Sequence, residues 1–224
     1  MSCREFATQI LSGSNSDSPI SLSFEKQSQL VTPNILIVAT ITQAMINIKA
    51  IEIEYISPQS GLSQRVVIAH SIVDNGLHWH IRAFDEKSQQ FKDFVITRIM
   101  SAKLIDKPIL DNAKILADQQ WMRIVHLELV LHPTNVRYTQ AIECDYGMDQ
   151  GLLKLEVRSA LTGYILRRWN VDCSENATQY SPEHHLWLRN RATLYGVDNL
   201  HLASGYDELK PATKSTVLKD HLND

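Results

Sequence analysis

Between residues 51 and 99, apolar and polar positions fall into four β-branched runs separated by turn signals: SPQSG at 57–61, DNG at 74–76 and DEKSQQ at 85–90. Aspartate, asparagine and glycine tolerate the backbone angles of hairpin turns, so the pattern predicts a small antiparallel meander. Alternation then assigns faces. Trp79, Ile81 and Ala83 share one side of their strand, while His80, Arg82 and Phe84 share the other. The first side reads as core, with Trp79 turned inward. The second carries His-x-Arg, and His70 and Arg98 end neighbouring runs.

Elsewhere the period lengthens. Phe6, Ile10 and Leu11 share one side of a short helical stretch, and SGSNSDS at 12–18 followed by Pro19 is a linker by composition. Residues 24–31 read as extended. Pro33 suits a helix start, and Val38, Ile41, Met45 and Ile48 recur at three- and four-residue steps. After Ile99 a polar, proline-containing connection runs from 101 to 120, with a short helix expected over 111–117. From Trp121 a second domain begins. Val125, Leu127, Leu129 and Leu131 alternate as in a half-buried strand, and His132-Pro133 breaks it. Tyr138, Ala141, Ile142 and Tyr146 then form a helical stripe. Gly147 and Gly151 bracket a turn, residues 152–157 read as a strand, and Leu161, Tyr164, Ile165 and Trp169 as a second helix. Residues 194–202 supply one more strand or short helix. That order predicts an α+β fold.

Composition narrows the function classes. A chain of 224 residues accommodates two modest domains, and 44% apolar with 21% charged residues is ordinary for a globular protein. A net charge of −3 argues against a wholly basic nucleic-acid-coating protein but leaves room for a local basic site. Cys3, Cys144 and Cys173 are odd in number, widely spaced and without a CxxC, which favours free thiols in a reducing cytosol. No signal peptide or bilayer-length apolar run is visible, so a cytoplasmic location is expected and the Asn176-Ala177-Thr178 sequon carries no weight.

The meander resembles a WYL domain. Its defining tripeptide corresponds to Trp79-His80-Ile81, with histidine in place of the central tyrosine. Tyr55-Ile56-Ser57, Arg65, Ala69-His70, the run from Trp79 to Phe84, Phe91-Lys92-Asp93-Phe94 and Thr97-Arg98-Ile99 are similar to WYL regulators of bacterial phage-defence islands (BREX and CBASS). Residues 140–157, 165–173 and 187–206 resemble the family's C-terminal WCX extension, a dimerisation unit. The resemblance implies a Sm-like (SH3-like) β-barrel followed by a small ferredoxin-like α+β domain. It divides the chain into an N-terminal segment and linker at 1–32, a WYL domain with its leading helix at 33–105, a WCX domain at 121–207 and a polar tail at 208–224. Family regulators carry an N-terminal winged helix-turn-helix; here only about thirty residues precede the leading helix, too few for that unit.

The candidate ligand-binding residues are Tyr55, Ser57, Arg65, His70, His80, Arg82 and Arg98. Guanidinium forks match phosphate bidentately, and hydroxyls of Tyr55 and Ser57 add donors; a solvated face balanced by Glu52, Glu54, Asp85 and Asp93 is the plainer alternative. His70, His80, Arg82 and Arg98 are expected within one pocket, with Ser57 at its edge. Trp79, Phe91 and Phe94 read as core, and Phe84 could stack on a base. His78-x-His80 and His184-His185 lack a third ligand at a metal-binding spacing, so no metal or other cofactor is expected. Arg167-Arg168 beside Trp169 reads more simply as a helix-surface pair than as a second basic spot. No nucleophile elbow or phosphate-cradling glycine loop occurs, which argues against an enzyme. The expectation is therefore the ligand-sensing portion of a WYL-type repressor of phage-defence genes. It would bind a nucleotide or short nucleic-acid effector and form a homodimer, with DNA contacted only through a winged-helix domain. The alternative is a stand-alone module for single-stranded nucleic acid.

Overall fold

The structure, a computed structural model, describes residues 31–206. The short helical stretch expected over 2–11, the SGSNSDSP linker, nearly all of the extended run at 24–31 and the tail after Tyr206 lie outside the described residues. Helix α1 (Ile35–Ile46) opens on Asn34, whose side-chain oxygen accepts the Leu36 N–H at 2.9 Å. Ile37, Ile41 and Ala44 are its buried face, whereas Ile35, Leu36 and Ile46 stay exposed. Apolar residues surround this helix almost completely, so periodicity alone could not choose the face. Ile48, expected on the stripe, lies beyond the helix end in a left-handed backbone conformation.

Five antiparallel strands follow: β1 (Ala50–Ser57), β2 (Gly61–Asp74), β3 (Trp79–Asp85), β4 (Gln90–Val95) and β5 (Ile99–Ile105). Their order is β4-β3-β2-β1-β5, with β4 and β5 as edges, and a 3₁₀ turn at Ile96–Arg98 carries the chain between them. The ladder that would close this sheet into a barrel is not among its pairings. Strand β2 is long enough to serve two partners: Arg65 and Val66 pair with β1, and Ile72 and Val73 with β3. A bulge at His70, between the Ala69–Ala83 and Ser71–Arg82 pairs, turns the strand from one partner to the other. Strand β5 takes up the start of the expected polar connection, as far as Ile105. Its Met100, Ser101 and Lys103 are exposed, as befits an edge, and this exposure masks the alternation.

Both faces of the sheet are covered. On one, Ile51, Ile53, Val67, Ile81 and Ala83 pack with α1 and Phe94. On the other, Ala50, Ile68 and Phe84 meet Ala113 of the connection, with Phe91 alongside. The connection forms two 3₁₀ turns, Asp111–Ala113 and Ile115–Ala117, in place of one short helix. It then enters α2 (Gln119–Met122), capped by Asp118 through the Trp121 N–H at 3.1 Å.

The second sheet has the order β7-β6-β9-β8, built from β6 (Ile124–Leu131), β7 (Leu152–Arg158), β8 (Val171–Asp172) and β9 (Leu186–Leu188). All pairs are antiparallel except β8 with β9. Helices α3 (Thr139–Tyr146) and α4 (Ser159–Arg168) accompany it. Leu127, Leu129, Leu166, Leu186 and Leu188 are fully buried at the centre of its core. Residues 191–194 and 200–202 are 3₁₀ turns. The molecule is thus α+β, with two mostly antiparallel sheets.

Candidate functional site

Strand β3 positions the polar chemistry, but its two key side chains do different things. Arg82 is 7% exposed and reaches back to Asp118, with Nε at 2.7 Å from Oδ2 and Nη2 at 3.1 Å from Oδ1. His70, thrown out by the bulge, meets the same carboxylate through Nε2 at 3.2 Å and takes Ser71 Oγ at 2.9 Å on Nδ1. Its ring stands edge-on to Phe91 and Trp121. Burial works against a charge on Asp118, yet the hydrogen bonds from His70 and Arg82 outweigh it and hold the acid well below the usual carboxylate range. Arg82 also donates through Nη1 to Asp93 at 3.3 Å, and the other Asp93 oxygen accepts the Tyr164 hydroxyl at 2.8 Å. Burial, with the Asp93 charge beside it, keeps Tyr164 protonated far above an ordinary phenol. A continuous polar chain therefore runs from the connection, through β3 and β4, to helix α4.

In front of this chain lies a cleft of about 1140 Å³. Its first wall carries Tyr55, Ser57, Arg65, His80, Lys92 and Arg98, and the turn from Asn75 to His78 forms one lip. Its second wall belongs to the C-terminal unit: Tyr164, Arg167 and Arg168 of α4, then Asn170, His201 and Leu202. Five lysine and arginine side chains face a single lining carboxylate, Asp93, in a chain whose net charge is −3. Two of the five are partly committed. Arg65 Nη1 lies 2.8 Å from the fully buried Asp85, and Lys92 approaches the same acid at 4.0 Å. Arg98, Arg167 and Arg168 have no carboxylate partner among the described residues. The Arg168 guanidinium sits over Gly76, so near that a methyl group there would meet it at 3.0 Å; with φ of +88° as well, that turn position suits glycine.

Of the residues expected to form a ligand pocket, Tyr55, Ser57, Arg65, His80 and Arg98 line the cleft. His70 and Arg82 do not; the Asp118 carboxylate holds them behind it. Tyr55 is mostly buried, edge-on to Phe94, with its hydroxyl accepting the Val95 N–H at 3.4 Å. The Ser57 hydroxyl caps its own turn, accepting the N–H groups of Gln59 and Ser60. Trp79 departs from the expectation of an inward core residue: at the first position of β3 it overhangs the core and is 38% exposed. Phe84, considered for base stacking, is core, 5.2 Å from Phe91. His78 is exposed and His80 buried, and no group of three or more potential metal ligands occurs among the described residues.

Sequence reasoning passed over Asp118 and Tyr164 and set aside Arg167-Arg168 as a surface pair. The arginine doublet was a visible signal. What it lacked was the opposing wall, which only tertiary packing supplies.

Residues 37–104 match the WYL domain, and residues 124–194 match the BrxR transcriptional regulator, C-terminal dimerization domain. Among curated proteins the chain is similar to the DNA-binding transcriptional repressor CapW. It is 31% identical over 166 residues to that of Escherichia coli (strain KTE188), 72% of this chain and 53% of that protein. With CapW of Pseudomonas aeruginosa it shares 32% identity over 159 residues, 69% of this chain and 51% of the relative. With that of Stenotrophomonas maltophilia it shares 33% over 143 residues, 60% and 45%. The chain spans about half the length of these relatives. With both matches in chain order and a sheet under each, the chain joins a WYL domain to a BrxR-type C-terminal dimerization domain.

Proposed function

We propose that this chain is the effector-sensing and dimerising portion of a cytoplasmic transcriptional repressor, and that its effector is an anion of the nucleotide or short nucleic-acid class seated in the cleft. One observation carries the reading: Arg98 from one unit and Arg167 and Arg168 from the other converge on a single cleft, without carboxylate partners among the described residues. Uncompensated guanidinium groups gathered in one place favour a phosphorylated ligand, for which their fork geometry is suited. Because the ligand would touch both units, its binding energy couples to the arrangement of the C-terminal unit, and hence to a homodimer and any attached DNA reader. Control of phage-defence genes rests on the sequence resemblance, and repression of DNA targets on the CapW relatives. The bent β2, shared between β1 and β3, and the 3₁₀ turn between β4 and β5 support a Sm-like sheet. The ferredoxin-like reading of the second sheet draws on its strand–helix–strand–helix order.

The rival reading, a stand-alone single-strand binder, loses its expected stacking residue, since Phe84 is packed in the core. Calorimetric titrations of mononucleotides, cyclic dinucleotides and oligonucleotides of increasing length, at several salt concentrations, separate the two. Saturable binding of one small species, weakened by about 1.5–3 kcal/mol in Arg98→Ala, is the expected result. Affinity that grows steadily with strand length would favour the rival, and binding untouched by Arg98→Ala and Arg168→Ala would overturn the proposed site. Light scattering should give a dimer mass at micromolar concentration; a monomer would contradict the dimerising role.

A further inference from the structure

Among the described residues, three buried side-chain polar atoms have no hydrogen-bond partner, and two of them are the ring nitrogens of His80. A buried polar group left unsatisfied is costly, and native structures seldom keep one without a reason. His80 is 1% exposed, lines the cleft and lies under the Tyr164 ring, with centroids 5.0 Å apart. Burial, helped by the Arg82 charge, outweighs the opposing Asp93 charge and the nearby His78 backbone, whose geometry falls short of a hydrogen bond, and so lowers the basicity of the imidazole and keeps it neutral. A neutral imidazole offers one donor and one acceptor. Ionised phosphate oxygens only accept, so they cannot satisfy both.

We infer that His80 is the specificity-determining residue of this cleft, reading a neutral donor–acceptor edge on a phosphorylated ligand, such as the edge of a nucleobase or a sugar hydroxyl. The inference rests on the reading of the cleft as an anion site and adds the second half of the ligand. The arginines take its phosphates, and His80 distinguishes a nucleoside-bearing anion from a bare polyanion of equal charge. Tyr164, which covers the ring and belongs to α4, must yield when the ligand engages. Recognition of the neutral group is thereby tied to the helix that also supplies Arg167 and Arg168.

The test uses the full chain and two probe families of similar charge: inorganic pyrophosphate and tripolyphosphate against nucleoside diphosphates and nucleoside triphosphates. The wild type should prefer the best nucleoside-bearing probe by at least about tenfold, the worth of two neutral hydrogen bonds. His80→Phe should erase that preference while leaving polyphosphate affinity unchanged, and His80→Gln, which keeps a donor and an acceptor, should restore part of it. Thermal melts supply a readout independent of binding. Without ligand, His80→Phe should melt at or above the wild-type temperature, because it removes two unsatisfied nitrogens. Equal affinity for nucleoside-bearing and bare anions, or a preference that survives His80→Phe, would overturn the role of His80 and leave the anion site standing. A ligand-free His80→Phe that melts well below wild type would also overturn it, by showing that a structural water satisfies the ring. No anion binding by any variant would remove the underlying reading of the cleft itself.

Discussion

Two buried histidines, one in each unit, show what separates a structural site from a receptive one. His132 is fully enclosed beneath the second sheet, and both its nitrogens are used. Nε2 donates to Asp172 at 3.1 Å, while Nδ1 accepts the N–H groups of Thr134 and Asn135. Asp172 is in turn held by the N–H groups of Ser174 and Gln179, and Asn135 reaches the carbonyls of Gln179, Ser181 and His184. That knot is finished: every lone pair that matters has a donor, and its work is to pin the loop between β8 and β9. His80 is as deeply buried, yet among the described residues neither nitrogen has a hydrogen-bond partner, and three arginines without carboxylate partners line the same cleft. Burial is the same in the two places; satisfaction is not. Polar chemistry left incomplete at a cleft marks where a ligand belongs.

The largest effect should come from Arg82, which belongs with the finished kind. Removing it takes the guanidinium from the 1% exposed Asp118 side chain, which keeps only His70 and the Trp121 N–H, and breaking a buried pair in this way costs about 3–5 kcal/mol. Denaturant unfolding of Arg82→Ala should show that loss; a variant as stable as wild type would return Arg82 to the ligand side of the comparison. Next comes His132→Phe, which leaves Asp172 short of a donor and should cost about 1–3 kcal/mol, whereas His80→Phe should cost nothing. Equal losses in the two variants would erase the distinction.

Acid sensitivity should follow from the same finished networks. Asp118 and Asp172 both have folded-state acidities shifted below their ordinary value of 3.8, despite burial that opposes the charge. The unfolded chain therefore binds more protons than the native one below about pH 4, so the acids' contribution is complete above that pH and is lost as they protonate. His80, which the fold keeps neutral, adds an earlier and smaller loss, because the unfolded chain charges its imidazole below about pH 6.5. Melting temperatures should fall modestly below about pH 6.5 and more steeply below about pH 4, with Asp118→Asn blunting only the second fall and His80→Phe only the first.

How much of this was legible depended on whether a signal was local. The meander was readable because DNG and SPQSG punctuate runs of period two, and those runs became β1 to β4. Strand β5 was not, since its exposed Met100, Ser101 and Lys103 look like a connection. Strands β8 and β9, two and three residues long, are too short to show a period. At the site, alternation correctly separated Ile81 and Ala83 from His80, Arg82 and Phe84. Alternation cannot say what covers a face, however. At Arg82 that face is covered by Asp118, 36 residues further on, and at His80 by Tyr164, still further along the chain. The charged residues could be named from sequence, but their division into a closed network and an open cleft depended on those distant partners.

The smallest effect should be at Trp79, where position within the strand overrides parity. It stands on the same side of β3 as Ile81 and Ala83, which are fully buried, but as the first residue of the strand it has no neighbour beyond it to complete the cover. With 38% of its surface exposed, truncation opens no sealed cavity; solvent simply reaches the place it leaves. Trp79→Ala should therefore cost about 1–2 kcal/mol, well below the about 3–5 expected of an aromatic removed from a closed core. Ile81→Ala, two residues on and fully enclosed, should cost about 2–5 kcal/mol. The ratio between the two, measured by denaturant unfolding under identical conditions, tests where the core ends. If Trp79→Ala proves as damaging as Ile81→Ala, the tryptophan is covered in solution by something beyond the described residues, and a second copy of the chain is the first candidate to examine by light scattering of that variant.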